Sequence, residues 1–599
     1  MSDKEKKKDE NWFTQLGTHI QNTIKSFVPE NIIRDQQVLS AFDNMDEIIN
    51  GKIKDVKLHP ELEWEATVRR SNELCDDEKK FLQDRKNYIR EAFAKYIGVD
   101  VSEVHPDDIP TIAFMGSGGG FRAMIVVTAY FAAMKDSGLY DCGTYVSGNG
   151  SCWNLAQLYT SLARSNPENH PLDNLLNYYK ANLTHSITNV RGVFKDLAHN
   201  ANPKAAVELC FGGLHVKKLS EVSVDIMDLF GALLATKIML GPDPSKQYDD
   251  FKLSRQRKYI DGGKDLLPIH VCTYHVRPWK DALESKDAAL VENYAQVWEE
   301  YKKLDDHYQW YEVTPYEFGT EEIPAYIPTW AFGRKFEGGK DVTRIPEQYL
   351  SLLIGLFGSA PSAPLLFEIN QLELALGNGW AKKEFKRAYD KAMEKMGEQK
   401  QRVFEGHQPV PPPSFNNFTY HLEPPPYKLG VTNSPYLKLM DGGVSNDSPV
   451  YPMSRPARKI EIVIGFDCSS VIVGRELFEK EQKEFCEIRG LDRNPRDTSN
   501  KFCEIHDYTP NGKTNGYCPP AENPFTLCYF PYLPNDKVDP KFIPATEKFM
   551  AFNNFTYTAE QVDKTVQLAK QNWADGQQKV KEEIIKVWRK KKAARLGGK

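Results

Sequence analysis

Residues 11–28, NWFTQLGTHIQNTIKSFV, set Trp12, Leu16, Ile20, Ile24 and Phe27 at helical spacing and predict an amphipathic helix. Its polar face holds few basic residues, so docking on the main domain is favoured over lying in a bilayer interface. Residues 60–98 are charged and predict helix, leading to Asp107-Asp108-Ile109-Pro110. From Thr111 short apolar runs alternate with helical stretches, which predicts an α/β sheet. TIAFM (111–115), TYV (144–146) and IEIVIGF (460–466) read as strands, and AMIVVTAYFAAM reads as a helix following the first. Between about 285 and 435 the chain is rich in aromatics and prolines, as in QPVPPPSFNNF and LEPPPYKLG. Such prolines suit surface loops, and the segment is expected to form a cap inserted into the sheet domain. KEEIIKVWRKKKAARLGGK ends the chain with a helix and a basic cluster, Arg589, Lys590, Lys591, Lys592 and Arg595. A solvated helix end is slightly favoured there over attraction to anionic lipid.

Composition narrows the class. The 599 residues are 41% hydrophobic and 27% charged, as in soluble globular chains, and the net charge of −5 argues against a nucleic-acid partner. No apolar run reaches the ~18 residues of a membrane span. The charged start, MSDKEKKKDENW, lacks the apolar core of a signal peptide. The ten cysteines are scattered without a C-x-x-C pair, which suits reduced thiols and neither a zinc site nor a disulfide frame. A cytoplasmic location is therefore expected.

Three stretches carry candidate chemistry. MGSGGGFRAM (115–124) joins a strand to a helix, so backbone N–H groups and a helix dipole face whatever lies before the turn. A P-loop is excluded because no Lys-Ser/Thr follows. Gly118, Gly120 and Ala123 fit a dinucleotide fingerprint, but Asp141 precedes the next strand instead of ending it. An oxyanion hole is the third reading, because amides at a glycine turn stabilise the negative oxygen of an acyl-transfer intermediate. A purely structural turn stays open, although three consecutive glycines followed by an arginine are more than a tight turn needs. TYVSGNGSCW (144–153) supplies a strand–turn–helix of nucleophile-elbow type in the right order. In LKLMDGGVSNDSPVYPM (437–453), Asp441 stands before two glycines, where a carboxylate can take a serine proton without histidine.

With GSGGGFRAM, TYVSGNGSCW and MDGGVSNDSPVYP in this order, the sequence resembles the catalytic domain of the cytosolic (group IV) phospholipase A2 and fungal lysophospholipase family, and more distantly the patatins. VTPYEFG (313–319), FGRKFEGGK (332–340) and LSLLIGLFGSAPSA (350–363) extend the resemblance across most of residues 60–555. It implies a patatin-like α/β acyl hydrolase with a central mixed sheet flanked by helices and a mobile cap. The substrate would be a glycerophospholipid or lysophospholipid ester at a membrane surface, to which a cytoplasmic protein would attach peripherally. Gly119 and Gly120, with Gly118 beside them, would form the oxyanion hole, Arg122 would hold the lipid phosphate, and Asp441 would be the general base. No catalytic metal or cofactor is implied. With only a short extension before residue 60, no calcium-binding C2 domain is expected.

The elbow departs from the family pattern G-x-S-G-S or G-x-S-G-G. Anchored on Trp153, the nucleophile position falls on Asn149, and the turn is one residue short. Three explanations fit: a remodelled elbow using Ser151 or, less well placed, Ser147; a phospholipid-binding pseudoenzyme; or a residue lost in the translated sequence. Cys152 is a chemically competent nucleophile, although buried thiols are usually inert packing. The expected layout is a 1–59 extension, a 60–575 catalytic domain and a 576–599 basic tail.

Overall fold

The computed structural model describes residues 51–149, 153–185, 190–277, 307–363, 410–422, 434–469, 475–513, 518–551 and 554–597, with residues 386, 387, 390, 408 and 431. The amphipathic stretch 11–28, most of the extension and much of the expected cap lie outside them.

The architecture is a mixed α/β fold around a twelve-stranded sheet. Its strands are β1 (Ile112–Gly116), β2 (Tyr145–Gly148), β3 (Leu267–Val276), β4 (His307–Val313), β5 (Glu317–Thr320), β6 (Ala325–Pro328), β7 (Ser414–Asn416), β8 (Tyr436–Asp441), β9 (Ile462–Asp467), β10 (Leu491–Asp497), β11 (Glu504–Pro510) and β12 (Phe525–Pro531). The order is β10-β11-β12-β9-β1-β2-β3-β4-β5-β6, with β8 pairing β3 and β7. β12, β9, β1, β2 and β3 run parallel, and antiparallel strands extend both flanks. The three runs expected as strands form β1, β2 and β9. β1 and β9 are buried along their whole length, as parallel strands covered on both faces are.

Residues 307–328, expected in the cap, instead extend the main sheet as β4–β6, antiparallel to β3 and to one another. The physical reason is the aromatic content of HYQWYEV, whose Trp310 and Tyr311 are both buried. The prolines at 411–413 precede β7, where no ladder amide is needed.

Helices cover both faces of the sheet. α1 (Asp76–Tyr88) has Asp76, Asp77 and Glu78 in its first turn and Arg85 and Lys86 in its last, matching the helix dipole. α2 (Gly120–Asp136) follows β1, and α3 (Pro203–Leu219), α4 (Ile226–Ile238) and α5 (Leu350–Phe357) pack on one another, with α5 against β3. α4 and α5 touch through bare backbone: a Cβ on Gly231 would come within 2.7 Å of Gly355 Cα. α6 (Glu476–Arg489) and α7 (Ala559–Gly597) take opposite faces of β12, whose side chains alternate. Tyr529 stacks on Phe478 of α6 at 4.0 Å, and its neighbour Phe530 stacks on Trp573 of α7 at 5.1 Å.

α7 is one continuous helix, about 58 Å long at 1.5 Å per residue. Thr558 and Gln561 close its first turn reciprocally, each side chain accepting the other's backbone N–H at 3.2 and 2.9 Å. The boundary expected at 575/576 falls inside it. In its terminal basic cluster Lys591 pairs with Glu461 at 2.7 Å, Arg595 with Asp108 through two bonds of 2.8 Å, and Lys592 with Glu103 at 3.3 Å. Arg589 and Lys590 are exposed. No helix of the described residues is long and apolar enough to cross a membrane.

Candidate active site

The glycine turn is held from below. Ser117 donates its backbone N–H to Phe466 O at 2.9 Å, and its hydroxyl accepts the Cys468 N–H at 2.7 Å. Gly119 and Gly120 have φ of 130° and 67°, a region side chains avoid, so only glycine lets the chain enter α2 this way. The Gly118 N–H points at Asp447, with Oδ1 at 3.1 Å and the backbone O at 3.2 Å. Among the described residues no acceptor engages the amides of Gly119 and Gly120. The turn therefore presents two amides at the positive end of a helix, the arrangement that stabilises a developing anion.

Arg122 lies beneath this turn and is buried. Nε donates to Cys468 O at 2.6 Å and Nη1 to Met550 O at 2.7 Å. The Nη2 edge faces the turn, 2.7 Å from where Gly119 would carry a Cβ.

The elbow begins at the end of β2. Ser147 is buried in that strand, and its hydroxyl donates to Ile269 O of β3 at 2.9 Å. Asn149 follows, with its backbone N–H on Gly116 O at 3.1 Å. Its Nδ2 donates to Asn446 O at 2.6 Å and Asp447 O at 2.9 Å, so the side chain ties the elbow to the turn after Asp441. Gly150, Ser151 and Cys152 lie outside the described residues. Trp153 resumes the chain, with Nε1 on Ile354 O at 3.1 Å and Phe121 against its ring at 5.8 Å.

Asp441 is the last residue of β8, a strand that the sequence reading passed over in favour of a glycine turn. Its backbone N–H donates to Ser359 Oγ at 3.0 Å and its O accepts from Thr273 Oγ1 at 3.1 Å. The carboxylate Oδ1 accepts the Gly443 N–H at 2.8 Å. Gly442 and Gly443 make room for what faces them. A Cβ on Gly443 would lie 3.3 Å from Asp441 Oδ1 and 3.4 Å from both Asn149 Nδ2 and Asp447 Oδ1. Asn149, Asp441 and the glycine turn are thus brought together at the carboxyl ends of parallel strands, where open α/β sheets bind ligands.

Asp447 is a residue at this site that the sequence did not single out, with contacts to the glycine turn and to the elbow. It is half-buried, and burial pushes its carboxyl up to about 7, with Asp467 adding to the shift and Arg122 and the Gly118 N–H opposing it. Its own N–H donates to Glu481 Oε1 at 3.0 Å. Burial, then Asp447, pushes the Glu481 carboxyl well above the usual range. The available signal was its place six residues after Asp441 in DGGVSNDSP. His270, opposite Gly148 on β3, is buried against Phe357 at 4.8 Å. Burial pushes its ring down to about 4, so it is neutral near pH 7. Among the described residues no group of three or more His, Cys, Asp or Glu side chains is arranged to hold a metal ion.

Comparisons with known proteins bear on the fold and the family. The mouse cytosolic phospholipase A2 delta is 26% identical over 314 residues, which are 52% of this chain and 32% of that protein. The chain thus spans about a third of that relative's length. The human GIVD cytosolic phospholipase A2 structure superposes with a TM-score of 0.59 at 19% identity, covering 87% of this chain and 68% of the other. The same human protein in complex with methyl gamma-linolenyl fluorophosphonate gives 0.57 at 20% identity, over 88% and 66%. At these identities the likeness is one of fold. The lysophospholipase catalytic domain matches residues 112–474, from the first residue of β1 past the end of β9, and the chain belongs to that family.

Proposed function

We propose that the chain hydrolyses the fatty-acyl ester of a glycerophospholipid or lysophospholipid at a membrane surface. The observation that carries this reading is the convergence of Asp441 with the amides of Gly119 and Gly120, which no acceptor among the described residues engages, beside the elbow. Ser151 is the hydroxyl assigned to attack, its proton passing to Asp441, while the amides of Gly119 and Gly120 receive the carbonyl oxygen as it becomes negative. As the ester C–O bond breaks, the departing alcohol takes that proton from Asp441 and leaves an acyl-serine. Water, giving a proton to Asp441, then cleaves the acyl-serine, which regains its hydroxyl proton as the fatty acid is released. Arg122 supports the turn from beneath and offers its Nη2 edge as the group nearest a lipid phosphate. The whole-protein activity of the mouse and human cytosolic phospholipases gives the same direction.

A second reading is favoured by one observation. Asn149 stands at the family nucleophile position with its amide hydrogens on Asn446 O and Asp447 O, which suits a phospholipid-binding pseudoenzyme. A fluorophosphonate probe with tryptic mapping, alongside fatty-acid release from lysophosphatidylcholine vesicles, separates the two. Labelling at Ser151 with fatty-acid release supports the hydrolase. Vesicle binding without label or release supports the pseudoenzyme and overturns the hydrolase.

A further inference from the structure

We propose that Asp447 is a positioning residue of this site, whose carboxyl locks the glycine turn to the acid turn through Gly118 and changes the strength of that lock as it gains or loses a proton. The proposal rests on the reading of the site as an acyl-transfer centre. Three turns meet at this one residue. The glycine turn reaches it through the Gly118 N–H, and the elbow reaches it through Asn149 Nδ2 on its backbone O. Asp447 itself belongs to the turn that leaves Asp441.

Two consequences follow from the contact with Gly118. That amide is engaged, so anion stabilisation falls to Gly119 and Gly120 alone. A hydrogen bond to an ionised carboxylate is also roughly twice as strong as one to a neutral group. Ionised Asp447 therefore holds the turn more tightly than protonated Asp447 does. The groups that face it set when the change happens: Arg122 on α2, Asp467 at the end of β9, Glu481 on α6, and Asp441 and Asn149 across Gly443. Asp447 is half-buried between buried Asn446 and Ser448. Its titration up at about 7 places the change near neutrality.

A purely structural role predicts a hydrogen bond that any acceptor would make at any pH. The two are distinguished by following the Gly118 amide in selectively ¹⁵N-glycine-labelled protein, with the resonance assigned by its loss in Gly118→Ala. In the wild-type chain its shift is expected to titrate with a midpoint near 7, and in Asp447→Asn, which keeps an acceptor oxygen, to stay flat. Asp467→Asn is expected to move the midpoint down, because it removes a like charge. In vesicle assays Asp447→Asn is expected to lose the kcat limb near neutrality with KM changed by less than about twofold. A Gly118 shift that is constant between about pH 5 and 9 in the wild-type chain overturns the proposal, as does an equal titration in Asp447→Asn. If Asp447→Asn does not fold, the wild-type curve and its displacement in Asp467→Asn decide the matter. Absence of fatty-acid release from the wild-type chain would overturn the hydrolase reading alone, since the Gly118 titration needs no turnover.

Discussion

Gly148 and Asp441 end two strands that run toward each other along the same edge of β3. Gly148 pairs with His270 in the parallel ladder, and Asp441 pairs with Cys272 in the antiparallel one. Two residues of β3, about 7 Å, separate the two positions. β2 and β8 thus share one edge of a ten-residue strand, and their ends deliver the elbow and the acid to one place.

Asp441→Asn is expected to lower fatty-acid release by about 10²–10⁴-fold, the usual contribution of a general base. The amide keeps an oxygen for the Gly443 N–H, so the fold should persist. Steady-state kinetics with circular dichroism as the folding control check this. Unchanged release would remove Asp441 from the chemistry.

Asn149→Ser is expected to place a hydroxyl beside Asp441 and to add a fluorophosphonate-labelled residue at 149. Mass spectrometry of the labelled peptide reads the outcome directly. An unlabelled residue 149 in a folded variant would show that the shortened turn aims this position away from the probe.

Gly355→Ala is expected to destabilise the protein by about 1–3 kcal/mol, the typical cost of overpacking. Its Cβ would meet Gly231 Cα at 2.8 Å and Gly231 N at 3.0 Å, both backbone atoms on α4 that no rotamer change can move. Urea unfolding measures the loss.

Glu312→Gln is expected to cost about 3–5 kcal/mol, because it removes one partner from a buried ion cluster. Arg458 donates to Glu312 at 2.6 and 3.0 Å and to Glu78 at 2.9 Å, while Arg455 also pairs with Glu312. Two guanidinium groups would be left facing a neutral amide. Thermal unfolding at neutral pH tests it.

The raised Asp447 carboxyl gives a stability effect of defined sign. A folded value above the unfolded one means that the folded state binds the proton more tightly, so this stabilisation is complete below about 4 and is lost as pH rises through about 7. Asp447→Asn removes the ionisation. Its melting temperature relative to wild type should therefore rise between about pH 5 and 8, measured by calorimetry at both ends.

The sequence by itself determined what depends on near neighbours. TIAFM, TYV and IEIVIGF are strands because their apolar, β-branched and aromatic content suits burial in a parallel sheet. The glycine turn was legible because Gly119 and Gly120 need positive φ, and its link to acyl transfer came from its order with the elbow and Asp441. Tertiary structure decided what depends on pairing between distant segments. HYQWYEV became sheet instead of cap because β3 offered it an edge, and a ladder partner leaves no mark on its neighbours in sequence. The basic helix end docked because Glu461 and Asp108 lay within reach of Lys591 and Arg595. Asp447 sits where it does for the same reason: the Gly118 amide and the Asp467, Glu481 and Arg122 charges come from three other segments, and only folding sets them around one carboxyl.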